Sequence, residues 1–201
     1  MIHKNPETEF AEKEYLPDID DSAFIHPLAA VIGNVIIGKK VMVSPFASMR
    51  GDEGQPLFVG DESNIQDGVV IHALETDPET GTNLVEEGNR KYAVYVGKRV
   101  SLAHQVLVHG PAYVGDDTFI GMQSQILMSR IGRGCVIEPK CLVMGVEIKA
   151  GLYAPAGSVI KSQVDADNLP VIKDGYAFKS LNSEVVKVNI ALAEGYKKMK
   201  L

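Results

Sequence analysis

Aliphatic residues recur at every sixth position along most of the chain, first as Val31, Ile37, Val43 and Met49, then as Val59, Ile65 and Ile71. The longest run is Val96, Leu102, Val108, Val114, Ile120 and Ile126. After one-residue slips it continues as Ile131, Ile137, Val143 and as Ile148, Ala154, Ile160. A small or polar residue often follows, as in Ile37-Gly38, Val59-Gly60 and Val96-Gly97. An amphipathic helix needs spacings of three and four, so a period of six with glycine punctuation excludes helix here. It predicts an all-β fold, a parallel β-helix of hexapeptide repeats. Each unit makes one short strand and one tight bend, and three units close a triangular coil. The aliphatic side chain points into the prism, and the small residue lets the chain turn.

The pattern predicts the β-helix over about residues 22–161, with two departures. Gly51 to Pro56 interrupts it briefly, and residues 76–89 form a polar, acidic loop that includes Asp77, Glu86 and Glu87. Residues 162–181 have no period. Over 182–199, Val185, Val188, Leu192, Tyr196 and Met199 follow the spacing of a helix with one apolar stripe, and Asn182 and Ser183 supply capping side chains. This C-terminal helix is expected to pack along the prism, as an appendage to a single domain spanning 1–201.

Composition narrows the picture. At 201 residues with 45% hydrophobic and 23% charged side chains, the chain reads as one ordinary globular domain. A net charge of -6 argues against nucleic acid or an anionic membrane surface as the main partner. The first residues lack the basic start and apolar core of a secretory signal, so a cytoplasmic location is expected. Cys135 and Cys141 are too few for a disulfide framework and fall where the repeat wants small side chains.

Three of the five histidines, His72, His104 and His109, lie within one stretch, while His3 and His26 sit in the N-terminal approach and read as unrelated. His72 follows Ile71 and His109 follows Val108, so both hold the same place in their repeats and are expected on adjacent coils. His104 belongs to the preceding face and cannot easily reach the same point, although a neighbouring copy could supply it. Three neutral imidazoles match the ligand set of a catalytic zinc site with an open position. The plain alternative is three separately satisfied histidines in a wall of strands. Matched phase beside polar residues favours the metal site. Asn64, Gln66 and Asp67 could brace such a site or merely a bend. Arg50 and Asp52 read as an ion pair at a subunit seam, and Glu53 as an acid near the metal.

The segments Met49-Arg50-Gly51-Asp52-Glu53-Gly54, Ser63 to Glu75 and Ser101 to Pro111 resemble the γ-class carbonic anhydrases, and the likeness covers nearly the whole chain. The resemblance implies a left-handed coil and a homotrimer with the metal between subunits. It implies hydration of carbon dioxide to bicarbonate and a proton by a metal-bound hydroxide. His72, His104 and His109 would hold Zn2+, with Fe2+ or Co2+ possible in the same site. Gln66 would orient the hydroxide with help from Asn64, Glu53 would sit at the metal-bound water, and Glu75 would shuttle the proton. Arg50 and Asp52 would form the intersubunit pair, and Asn189 would reach the site from the helix. Two residues before that asparagine the family prototype has tyrosine, where this chain has Lys187. Val108 and Met122 are the apolar candidates for the substrate pocket.

Two rivals share the repeat. A hexapeptide-repeat acyltransferase would use a single histidine as general base, which leaves two of the three phased histidines unexplained. A non-catalytic metal-binding scaffold on the same fold would differ in having no hydration activity.

Overall fold

The computed structural model describes residues 1–199. Short parallel strands build three flat faces around a prism, one of eight strands and two of seven. The eight-stranded first face runs from Ile2–His3 through Val70–His72 and Leu107–His109 to Val159–Ile160. The second runs from Asp18–Ile19 to Glu147–Ile148, and the third from Phe24–Ile25 to Tyr153–Ala154.

Every aliphatic residue of the six-residue series lies inside this prism in one continuous core. Their register explains the period. Met49, Ile71, Val108, Ile126, Val143 and Ile160 stack up the first face as direct partners, Val59, Val96, Val114, Ile131 and Ile148 up the second, and Ile65, Leu102, Ile120, Ile137 and Ala154 up the third. Each large aliphatic side chain so buried contributes about 2 kcal/mol.

Closing a coil this tight needs left-handed backbone at the corners. Lys40, Glu62, Arg99 and Asp117 hold φ values of 54°, 62°, 52° and 60° in one corner column. Each of the upper three is tied to the coil beneath it by its backbone N–H, Glu62 to the Lys39 carbonyl, Arg99 to Asp61 and Asp117 to Lys98. These bonds offset the steric cost of about 1–2 kcal/mol per such residue. Nearby, a Cβ on Gly60 would stand 2.7 Å from the Gly97 backbone, so only glycine lets the coils stack there.

The coil starts earlier than the periodicity indicated. Ile2–His3 already pairs with Ala30–Gly33, and Asp18–Ile19 opens the second face. The acidic loop contains an antiparallel hairpin, Val85–Glu87 with Arg90–Tyr92, whose Tyr92 ring packs on Phe58 and Tyr95.

Two helices follow, α1 (Gln163–Asp167), which the sequence reading left without regular structure, and α2 (Leu181–Met199). Asn182 lies inside the first turn of α2 and donates to the Arg99 carbonyl, while Ser180 bonds Glu184 just ahead of it. The helix lies along the third face, with Ala193 fully buried against Phe24 and Met42 and Tyr196 stacked on Phe24. The expected stripe divides. Val185 and Tyr196 touch the prism, whereas Val188, Leu192 and Met199 are exposed. Among the described residues, no helix is long and apolar enough to cross a membrane.

Candidate metal centre

His72 and His109 end neighbouring strands of the first face and are register partners. Side chains alternate along a strand, so with Ile71 and Val108 pointing inward both imidazoles point out. Their ring centroids lie 5.5 Å apart, at 80° to each other. Around His72 Nε2 stand three charged groups: Asp52 Oδ1 at 3.2 Å, Glu53 Oε1 at 3.2 Å and Arg50 Nη2 at 3.0 Å. Arg50 Nε also bonds Asp52 Oδ2 at 3.1 Å, so this pair forms within one chain.

His104 stands on the turn after Leu102, on the third face, and is exposed. Its Nδ1 lies 3.1 Å from Asp67 Oδ2, and His109 Nδ1 lies 3.1 Å from the Gly110 carbonyl. A proton on each Nδ1 satisfies those acceptors and leaves the Nε2 lone pair free, the tautomer a metal requires. Three imidazoles, two oriented in this way and the third beside two carboxylates, fit a divalent cation. Within one chain they do not meet. Among the described residues, the set of three such side chains with ligating atoms within 4.8 Å of one another is Asp52, Glu53 and His72, and it does not include His104.

Beside His104 a buried chain of polar groups runs along the third face. Gln66 Nε2 donates to Asn64 Oδ1 at 2.9 Å, and Asn64 Nδ2 donates to Ser101 Oγ at 2.9 Å. Asn64 and Ser101 are fully buried and are register partners, which fixes the Asn64 amide and through it the Gln66 amide. Sequence reasoning singled out Asn64 and Gln66 but missed Ser101, which the strand register beside Asn64 could have exposed.

Gln66, Asp67 and His104 line a cavity of about 510 Å³ closed on its far side by α2, with Asn189, Val188 and Leu192. His26, read as unrelated, lines it too. Asn189 Nδ2 donates to the Val185 carbonyl at 3.0 Å. Lys187 points to solvent. A second, apolar cavity flanks Gln66 and His104 between Met122, Phe119, Val136 and Val185. Val108 belongs to neither. It occupies the inward position of its repeat and is 0% exposed within the prism, so it cannot face a substrate, and the expectation for it is corrected. Glu75 is exposed at the start of the acidic loop, where it lines a third cavity with Gln55 and the N-terminal arm.

The candidate residues therefore fall into two groups on different faces. One holds His72, His109, Glu53, Asp52 and Arg50, and the other holds His104, Gln66, Asn64 and Asn189.

No family model matches the chain. It is 56% identical to the carbonic anhydrase of Methanosarcina thermophila over 98% of this chain and 81% of that one. It is 40% identical to the carboxysome assembly protein CcmM of a Nostoc species, over 95% of this chain but 33% of that longer protein. A solved structure of a hexapeptide transferase family protein from Anaplasma phagocytophilum matches with a TM-score of 0.69 at 24% identity, covering 90% of this chain and 93% of that one, which supports the fold alone. With the paired histidines on one face, the third on the next and this identity along nearly its whole length, the chain belongs to the γ-class carbonic anhydrases, left-handed β-helices of hexapeptide repeats that act with a metal cofactor.

Proposed function

We propose that the protein hydrates carbon dioxide reversibly to bicarbonate and a proton, at a metal site completed by two subunits of a homotrimer. The observation that carries this reading is the division of the ligands, His72 and His109 as partners on one face and His104 beside the polar chain on another. The outward side of the first face supports self-association. Val70, Val159 and the partly exposed Leu107, Leu127, Leu142 and Met144 share this face with the histidine pair and give it apolar surface that water disfavours. A closed ring that docks this surface against the His104 side of the next copy satisfies every site at once.

The ion we propose is Zn2+. Fe2+ or Co2+ suits the same donors, because geometry and supply select among them more than ligand identity does. His72, His104 and His109 as three neutral imidazoles would leave such an ion its full charge, and the chemistry it would supply is a lowering of the pKa of water to about 7, a value familiar from carbonic anhydrase itself.

The chain's own residues do the rest. One Gln66 amide N–H is held by Asn64 Oδ1, which fixes the amide, and its carbonyl oxygen then accepts a hydrogen bond from the attacking species and so aims a lone pair at carbon. Glu53, beside His72, accepts a proton or hydrogen bond at the same point. Met122 and the apolar wall above His104 hold carbon dioxide by excluding water. Asn189 faces the cavity from α2 and offers an amide to bicarbonate. Each turnover releases one proton, and Glu75, exposed at the loop mouth, relays it to buffer.

The test is metal analysis of protein purified without oxygen, paired with a hydration assay. The expected result is about one divalent ion per subunit and hydration that chelation abolishes and metal restores. Stoichiometric metal without hydration would favour the scaffold reading. Acyl transfer without metal would favour the transferase reading.

A further inference from the structure

We infer that Thr76 is a positioning residue for proton release, whose hydroxyl clasps the segment bearing Glu53 to the segment bearing Glu75. This rests on the role given to Glu75 above. The two segments leave neighbouring strands of the first face, Ser48–Gly51 and Val70–His72, whose ladder pairs Ser48 with Val70 and Met49 with Ile71. Past the ladder, Asp52 and Glu53 meet His72 through their side chains. Thr76 ties the two backbones together. Its backbone N–H and its Oγ1 both donate to the Glu53 carbonyl, at 3.1 and 3.2 Å, while Oγ1 accepts from the Gln55 N–H at 2.7 Å. A hydroxyl can donate and accept at once, which neither a methyl nor an isopropyl group can do.

The seat is closely built. Thr76 is buried although Leu74, Glu75, Pro78 and Glu79 around it are exposed. Gly54 lies over it at φ +108°, where a Cβ would overlap Thr76 Oγ1 and stand 3.2 Å from the Phe10 carbonyl of the N-terminal arm. The clasp is not needed to hold the acidic hairpin, which is anchored separately through Tyr92 on Phe58 and Tyr95. What it does fix is the relation between two acids. Glu53 has Oε1 at 3.2 Å from His72 Nε2, while Glu75 opens on the outer cavity of about 480 Å³ walled by Glu9, Glu12 and Tyr15. A proton taken up by the Glu75 carboxylate on its inner side is handed to a buffer base on its outer side, and that relay depends on where the carboxylate stands.

Three metal-loaded proteins decide the matter: wild type, Thr76→Val and Thr76→Ser. Stopped-flow hydration across a range of buffer concentrations is read beside amide hydrogen exchange at Gln55 and Thr76. Thr76→Val is expected to lower kcat in dilute buffer by roughly ten- to a hundredfold while kcat/KM stays within about twofold, the scale expected from misplacing one proton-transfer group. Exchange at both amides should quicken, and Thr76→Ser should restore both readings. Thr76→Ala, which removes the hydroxyl and leaves a smaller side chain, should reproduce the kcat loss and serves if Thr76→Val does not fold. Unchanged kcat in Thr76→Val, or kcat and kcat/KM falling together without rescue by serine, overturns the inference. A wild type that does not hydrate carbon dioxide would instead overturn the functional reading beneath it.

Discussion

His72 and His109 are direct register partners on adjacent coils, with ring centroids 5.5 Å apart, because the acidic excursion leaves and rejoins the prism without shifting its phase. Ile71 and Val108 beside them remain stacked in the core across that excursion. A loop inserted at a corner of a solenoid leaves the repeat untouched, so the acidic segment is accommodated while the two histidines stay in line.

Replacing Glu75 by alanine should lower kcat far more than kcat/KM, since the relay acts after carbon dioxide has reacted. Added imidazole should recover much of the loss, because a diffusing base can take the place of the tethered one. Equal losses in both constants, with no buffer rescue in stopped-flow hydration, would assign Glu75 to the hydration step.

The polar chain Gln66–Asn64–Ser101 should respond as a unit. Asn64→Ala leaves the buried Gln66 amide and Ser101 hydroxyl without each other's bridge, at a cost of about 1–3 kcal/mol in unfolding free energy. It should also reduce kcat/KM, because the Gln66 carbonyl is no longer aimed. Asn64→Ala and Gln66→Ala combined should lose less than the sum of the two, which a double-mutant cycle of kcat/KM measures. Full additivity would show that Asn64 does not act through Gln66.

At one corner, Asp117 bonds Arg99 Nε at 2.6 Å and lies 3.2 Å from Arg133 Nη2. The Arg99 hydrogen bond holds its carboxyl below the usual carboxylate range. A depressed carboxylate contributes stability above its unfolded pKa of about 3.9 and loses it as pH falls through the lower folded value. Urea unfolding of Asp117→Asn should therefore show a deficit of about 0.5–1 kcal/mol at pH 7, as expected for a partly exposed pair. The deficit should shrink as pH drops toward about 4 and close only below the depressed value. A deficit independent of pH would trace the loss to packing.

Much of this was legible in the sequence, for reasons tied to particular residues. The inward positions were readable because one aliphatic side chain per six residues is the minimum that fills a triangular coil, and Ile37, Ile120 and Ile137 obey it. The same rule places Val108 indoors, so the period itself already argued against a substrate role for it. The first rung was hidden because fifteen-odd residues of arm separate Ile2 from the next strand, too irregular for any period to bridge. The helix stripe misled because α2 meets the prism through the small Ala193, leaving Val188 and Leu192 over the cavity. Thr76 carried no signal of its own, since a buried hydroxyl matters only through the partner that the fold brings to it, whereas Ser101 was readable only from its register beside Asn64.

The proposed site draws His72 and His109 from one subunit and His104 from the next. It is tested most directly by mixing His72→Ala and His104→Ala proteins, each nearly inactive alone, under conditions that exchange subunits. A working site needs the pair from a His104→Ala chain and the third ligand from a His72→Ala chain. With random equal mixing in a closed ring both hold at about a quarter of sites. Hydration activity should therefore rise toward about a quarter of wild type. If exchange is verified by mass and no activity returns, the ligands do not come from two subunits, and the account of the site is wrong.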